Sequence, residues 1–201
     1  MEIIKLEKYK IQKASLMVAE AFFEYPMFRF YFPDPGNRAR NLSWYFKNIL
    51  NCALQYGEIF TNENLSGVLF ILPPGHTQIS LMEYIQNGFF LTPFKLGFKN
   101  YLRSMKCEDY VGQTHQNIMQ GRQHYYLWGL AVDPKCQQKG IGSSLLKPVI
   151  QKADSENKPI YLETHDKRNV TYYQRKGFSL VRSDMIPSYD LPFWCMLREP
   201  D

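Results

Sequence analysis

Cysteine is scarce in this chain: the four in 201 residues, Cys52, Cys107, Cys136 and Cys195, lie far apart. There is no CxxC pair and no Cys/His cluster at metal-ligand spacing, so neither a zinc site nor a disulfide framework is expected, and the thiols should be reduced. No uncharged apolar run reaches the length of a membrane span. The first fourteen residues are charged rather than apolar and lack the hydrophobic segment and cleavage site of a secretory signal, which points to a soluble cytoplasmic protein with no membrane partner. Internal repeats are missing, and so is any block of like charge. The 24 Lys and Arg against 19 Asp and Glu, a net +5, are spread along the chain. A basic stripe interleaved with aromatics is therefore lacking, and with it the signature of a nucleic-acid binder. A polyanionic small ligand suits the modest positive excess equally well.

What the chain does have is apolar mass. Its 45% hydrophobic and 15% aromatic content is enough for one well-filled core, so residues 1–201 are read as a single domain. Glu2 to Leu6 is a strand candidate, and Ile11 to Phe23 carries the spacing of an amphipathic helix that ends at Tyr25-Pro26. The aromatic stretch Phe28 to Phe32 closes on the turn Pro33-Asp34-Pro35-Gly36. A second helical pattern follows through Leu42, Phe46, Ile49, Leu50 and Ala53, and Gly57 stops it. Glu58 to Asn62 and Gly67 to Leu72 resemble two antiparallel strands. Residues 78–121 read as helical pieces broken at Gly88, Pro93, Gly97 and Gly112. From His124 the pattern sharpens: a strand to Asp133, a helix from Gly140 to Ser155, a strand over Ile160 to Thr164, a helix around Asn169 to Lys176, then strands at Phe178 to Arg182 and Phe193 to Leu197. Strand, helix, strand at this length is a parallel crossover, which gives an α/β chain with a mixed sheet and helices on both faces.

The most informative segment is Gln137-Gln138-Lys139-Gly140-Ile141-Gly142, directly after a strand and opening an amphipathic helix. A helix N-terminus offers free N–H groups and positive partial charge, and glycines let the backbone close on phosphate oxygens. A Walker A loop needs Gly-Lys-Ser/Thr, whereas here Lys139 precedes the glycine pair; a dinucleotide fingerprint needs a third glycine where Leu145 stands. Both fit poorly.

The segment resembles motif A of the GNAT superfamily of acetyl-CoA-dependent N-acetyltransferases, Q/R-x-x-G-x-G/A, and Leu130-Ala131-Val132-Asp133-Pro134 resembles the strand ending that usually precedes it. The likeness continues through Tyr161-Leu162-Glu163-Thr164 and Tyr173-Gln174-Arg175-Lys176-Gly177-Phe178. Pro148, Leu162-Glu163-Thr164, Arg168-Asn169 and Trp194-Cys195-Met196 look like puromycin N-acetyltransferase-like members. The resemblance is clear over 124–201, faint over 11–35, and carries nothing between. It implies the GNAT fold, a central mixed sheet with two splayed parallel strands flanked by helices. It also implies acetyl-CoA as cosubstrate, no metal, and a site in which Leu130, Ala131, Val132, Gln137, Gln138, Lys139, Gly140, Ile141, Gly142, Ser143 and Tyr173 meet the cofactor. Where many members carry an asparagine seven residues before the tyrosine, this chain has Asp166; Asn169 is the candidate for that contact, with a helix N-cap as its rival role. Pro148, inside the motif A helix, should cost ~3 kcal/mol or more and kink or distort it.

Forming an amide from a thioester requires an uncharged amine, a held oxyanion and a proton for the departing thiolate. A lysine-like amine of pKa ~10.4 is neutral in only about one molecule in two thousand at pH 7, so a base is expected. Gly129, inside a strand, marks a bulge or a close backbone approach. In the superfamily such a bulge splays the central strands, and N–H groups near Leu130 and Val132 would hold the oxyanion; the rival is a glycine admitted because Trp128 or another bulky side chain packs over it. Tyr173 is the candidate proton donor, its rival role being packing beside Tyr172. Glu163, the only carboxylate inside either central strand, is the candidate base, with a structural hydrogen bond as its alternative and His124 and His165 as other bases. The aromatic stretch from Phe22 to Phe32 suits an acceptor pocket or a core. The leading expectation is an enzyme that acetylates a small amine in a ternary complex. A protein or peptide acetyltransferase and a non-catalytic acyl-CoA-binding module are its rivals; apolar Phe89 to Phe98 favours a closed pocket over an open groove. Acceptor identity and the choice between monomer and homodimer are not legible.

Overall fold

A computed structural model describes residues 1–187 and 189–201. In chain order the elements are β1 Ile3–Lys5, α1 Ile11–Ala21, α2 Pro26–Tyr31, α3 Pro35–Tyr56, β2 Glu58–Asn62, β3 Gly67–Leu72, α4 Leu81–Gln86, α5 Thr92–Leu96, α6 Phe98–Met119, β4 Tyr125–Val132, α7 Ile141–Ser155, β5 Ile160–Thr164, α8 Lys167–Gln174, β6 Ser179–Met185 and β7 Pro192–Arg198. The strands form one mixed sheet in the order β1-β2-β3-β4-β5-β7-β6. Among the described residues only β4 and β5 are parallel neighbours; α7 is the crossover between them, as the strand-helix-strand pattern required.

β3 shows why helices cover both faces. Its sequence Gly67-Val-Leu-Phe-Ile-Leu72 is apolar throughout and wholly buried, the mark of a strand covered on both sides. Val68 and Phe70 join the core that holds α1 and α3, while Leu69 and Ile71 join Ile141, Leu145, Leu146, Val149 and Ala153 of α7. Asp34 caps α3 by accepting the Gly36 N–H at 2.9 Å, with Pro35 at the first helical position, where its missing N–H costs nothing. Gly57 ends α3 because the chain runs against β3 there: an added Cβ would lie 2.0 Å from the Ile71 carbonyl oxygen.

Three expectations change. The stretch Phe28 to Phe32 is largely helical, as part of α2. Gly112 does not break its segment, since α6 runs unbroken for 22 residues; burial of Cys107, Thr114, His115 and Met119 along it outweighs the ~1 kcal/mol that a mid-helix glycine costs. Pro148 does not interrupt α7, whose apolar face is packed on both sides of the proline.

Candidate active site

β4 and β5 pair only through Tyr125–Ile160 and Tyr126–Tyr161 and then part. Opposite the parting, β3 pairs Phe70 with Gly129 but Ile71 with Leu127, so Trp128 is the extra residue of a bulge that bends β4 away from β5. Gly129 is fixed by contact as well. A Cβ there would lie 2.1 Å from Phe70 Cζ, so a bulky side chain, Phe70, does pack over the glycine. Beyond Tyr126 the β5-facing edge of β4 has no strand partner, leaving polar main-chain groups for something else to satisfy.

A groove of about 650 Å³ opens on this parting, lined by Leu130, Ala131 and Val132, by Gln137, Gln138, Gly140, Ile141, Gly142 and Ser143, and by Asn169, Tyr172, Tyr173 and Arg175. Two left-handed residues, Gln138 at φ 62° and Gly140 at φ 78°, turn the loop so that Gly140 begins α7 with no side chain capping its N–H groups. That leaves an anion cradle of free donors. Gly142 lines it closely, since an added Cβ would lie 3.0 Å from the Tyr172 hydroxyl oxygen. This hydroxyl is buried and has no hydrogen-bond partner, a group that a ligand in the groove would satisfy. The residues therefore fit an acyl-coenzyme with a pyrophosphate at the α7 terminus. The Lys139 side chain does not line the groove; its ammonium donates to the Lys135 carbonyl at 3.3 Å. Asn169 does line it, and its amide donates to Thr164 Oγ1 at 3.0 Å. The cap of α8 is Asp166, which accepts the Arg168 N–H, so Asn169 is not the helix N-cap.

At its inner end the groove meets a chamber of about 110 Å³ under the parted strands, where Phe22, Tyr25, Phe28, Phe70, Trp128, Glu108, Glu163 and Tyr173 converge. Beyond it a third cavity of about 260 Å³ shares Glu108, Val111, Tyr126, Trp128 and Glu163 with the chamber and opens between residues 77–79 and α6. Groove, chamber and outer mouth form one passage through the sheet. Phe89 to Phe98 does not close it. Phe89 packs on Tyr45 and Tyr84, but Phe90, Phe94 and Phe98 face outward.

The Glu163 side chain is only 6% exposed, and its Oε1 is buried without a hydrogen-bond partner. Among the described residues no arginine forms an ion pair with it. Burial pushes its pKa up to about 8, an effect that the nearby Tyr126 and Tyr161 hydroxyls offset only in part. The nearest imidazole is His115, with Nδ1 3.9 Å from Glu163 Oε1. Its tautomer follows from its neighbours. His124 Nδ1 lies 2.6 Å from the Arg122 carbonyl, which can only accept, so the ring hydrogen sits on Nδ1 and His124 Nε2 is bare. His115 Nε2, 2.7 Å from that bare nitrogen, must donate to it. His115 thus turns an unprotonated Nδ1 toward Glu163 and offers it no charge. Desolvation keeps both rings neutral, lowering His115 to about 3 and His124 below its usual value. His165 is likewise lowered by burial, to about 4, and its Nδ1 is engaged by the Pro192 carbonyl at 3.0 Å. Tyr173 is buried and packs against Tyr172 and Phe178; burial holds its phenol well above the usual value, and so protonated.

Residues 97–178 match the acetyltransferase (GNAT) family. An uncharacterized N-acetyltransferase of Schizosaccharomyces pombe is 22% identical over 98% of this chain and 83% of its own length. Among solved structures, a histone acetyltransferase HPA2 and related acetyltransferase from Corynebacterium glutamicum superposes with a TM-score of 0.65 at 21% identity, covering 99% of this chain and 96% of that one. Arylalkylamine N-acetyltransferase 2 from Aedes aegypti superposes with a TM-score of 0.61 at 11% identity, covering 100% and 99%. These matches show a likeness to the GNAT acetyltransferase family over residues 97–178 and a shared fold along the chain. The fold is the GNAT fold, a seven-stranded mixed sheet with helices on both faces.

Three residues of this site lie outside the motifs. Tyr172 was legible only as a packing neighbour of Tyr173, because nothing local reveals that its hydroxyl sits over Gly142. Tyr25, read as a helix stop and as part of the aromatic stretch that suits an acceptor pocket or a core, lines both groove and chamber and accepts the His165 N–H at 2.6 Å. Glu108 sits on α6 without any motif around it; only the fold brings it to the chamber.

Proposed function

We propose that the chain is a single-domain N-acetyltransferase that moves an acetyl group from acetyl-CoA to a primary amine of a small molecule within a ternary complex. Within the family we place it nearest the puromycin N-acetyltransferase-like members, on Pro148, Leu162-Glu163-Thr164 and Trp194-Cys195-Met196. The observation that carries the reading is the chamber in which an unpartnered carboxylate, Glu163, and a protonated phenol, Tyr173, line one small space at the inner end of the groove.

Acetyl-CoA supplies the acetyl thioester. The α7 N-terminus and the loop from Gln137 to Gly142 bind its pyrophosphate, and the unpaired edge of β4 at Leu130 to Val132 holds the arm and the thioester carbonyl by backbone N–H groups. Glu163 takes a proton from the incoming ammonium onto its carboxylate, directly or through water. Tyr173 gives its phenolic proton to the departing sulfur. Aromatic walls exclude bulk water from both transfers. The small chamber of about 110 Å³ favours a small acceptor over a folded protein surface, and the Aedes aegypti neighbour is an arylalkylamine N-acetyltransferase.

The test is a pair of pH–rate profiles with the best amine found in a thiol-release screen. A base works above its pKa, and the Glu163 value is raised to about 8, so wild-type kcat/KM should climb through mildly alkaline pH and level off. Glu163→Gln should lose that limb, run about tenfold or more slower near pH 7, and converge on wild type as pH nears the amine's own pKa of ~10.4. Parallel profiles would remove Glu163 from the base role.

A further inference from the structure

The charges along the passage differ from one end to the other. The groove carries Arg168 and Arg175 together with Glu24 and Asp166 beside its cradle of N–H groups, Arg168 being paired with Asp166. The chamber and outer mouth are lined by Glu108, Asp109 and Glu163, with no lysine or arginine among their described residues, and both of their histidines are held neutral by burial. A substrate carboxylate there would find three carboxyl groups and no cation, whereas a substrate ammonium would find acceptors only.

Glu108 is a built feature of this wall. Its accessible surface faces both cavities, and the buried Tyr31 hydroxyl fixes it by donating to Oε1 at 2.9 Å. Tyr45 shares the chamber lining with it, Tyr84 the outer mouth and Tyr126 both, and Phe89 braces two of those rings with centroids 5.6 Å from Tyr45 and 5.0 Å from Tyr84. A carboxylate among aromatic faces recognises an alkylammonium or guanidinium. Farther in, Glu163 presents a buried oxygen with no partner. Two carboxylates therefore face one passage, and the proton-transfer role uses only one of them.

We propose that Glu108, walled by Tyr45, Tyr84 and Tyr126, is a subsite for a second cation, so that the acceptor is a diamine or related amine with a basic group at each end and no carboxylate. This rests on the acetyltransferase reading and deepens it: one nitrogen reacts beside Glu163 while the other is held at Glu108. The held cation also fixes the orientation of the reacting end, and a monoamine of equal length loses that.

The experiment measures KM and kcat with acetyl-CoA for a diamine series from putrescine to hexamethylenediamine, each against the monoamine of equal length, with γ-aminobutyrate as the carboxylate control. The wild type should favour at least one diamine over its monoamine by about tenfold or more in KM, and γ-aminobutyrate should be the poorest acceptor. Glu108→Gln, which can still accept from Tyr31, should raise that diamine's KM at least about ten times more than the monoamine's while moving kcat far less. Tyr84→Leu, on the short helix α4, should shift the same ratio in the same direction by a smaller factor. Equal KM values for diamines and monoamines, or a Glu108→Gln effect that is the same for both, would overturn the subsite and leave the acetyltransferase reading standing. If no amine is acetylated, that reading fails. The subsite is then decided by titrating the same diamines into CoA-loaded protein in a calorimeter: binding that Glu108→Gln removes supports it, and no heat from the wild type overturns it.

Discussion

The two ends of the passage are made of different material. The groove is main chain: two left-handed residues, an uncapped helix terminus and an unpaired strand edge, with glycine where any side chain would intrude. The chamber is side chain, its aromatic rings and two carboxylates contributed by the α1–α2 loop, α2, α3, β3, α6, β4, β5 and α8. Main-chain donors recognise a phosphate or a carbonyl whatever surrounds them, so the groove can stay the same while the chamber is rewritten for another acceptor. Damage should therefore differ in kind, affinity for the coenzyme failing at one end and turnover or acceptor choice at the other.

The largest expected effect is at the groove. Acetyl-CoA should raise the melting temperature of the wild type saturably, a ligand at a hundred times its Kd adding ~2.7 kcal/mol. Gly142→Val should abolish that shift at millimolar coenzyme, since even a Cβ crowds the Tyr172 hydroxyl at 3.0 Å; a normal shift in this variant would show that the cradle is unused. Next comes the chamber. Tyr173→Phe should lower turnover by about a hundredfold, the typical worth of general acid catalysis, with little change in acetyl-CoA affinity. Loss of affinity without loss of turnover would move Tyr173 to the groove side of the comparison.

A smaller effect is on stability. Because the folded-state pKa of Glu163 is raised to about 8, the native chain binds more protons than the unfolded chain between about pH 4.3 and 8, and stability must fall as pH rises through that window. Glu163→Gln should remove this part of the decline, so urea unfolding of the two proteins should diverge in the variant's favour as pH rises. Curves that run parallel would mean that the carboxylate is charged and compensated in the folded state. Smallest of all is Lys139→Ala, which should change acetyl-CoA affinity by less than about threefold, since this exposed ammonium points away from the groove toward the Lys135 carbonyl.

The same division explains what could be read in advance. The groove is continuous in sequence from Leu130 to Ser143, and its glycines are local necessities, so strand, loop and helix announced it. β2, β3 and β5 were legible to the residue because apolar runs and turn signals bound them closely. The chamber is discontinuous. Glu108 and Glu163 are brought together by the packing of α6 on the sheet, and no spacing in the chain encodes that. Gly112 misled because propensity is local while the burial of α6 is not. The outward-facing phenylalanines near residue 94 misled because apolar composition does not say which way a short helix points.

The parting of β4 from β5 has one more consequence. It makes the sheet a wall with an opening, with a coenzyme-shaped recess on one side and a carboxylate-lined approach on the other. A coenzyme joined covalently to an amine through its sulfur would run the full length of that opening. Such a molecule surrenders its freedom of tumbling once and engages both sides, so it should hold the protein far more tightly than either fragment, and only while the two strands stay apart.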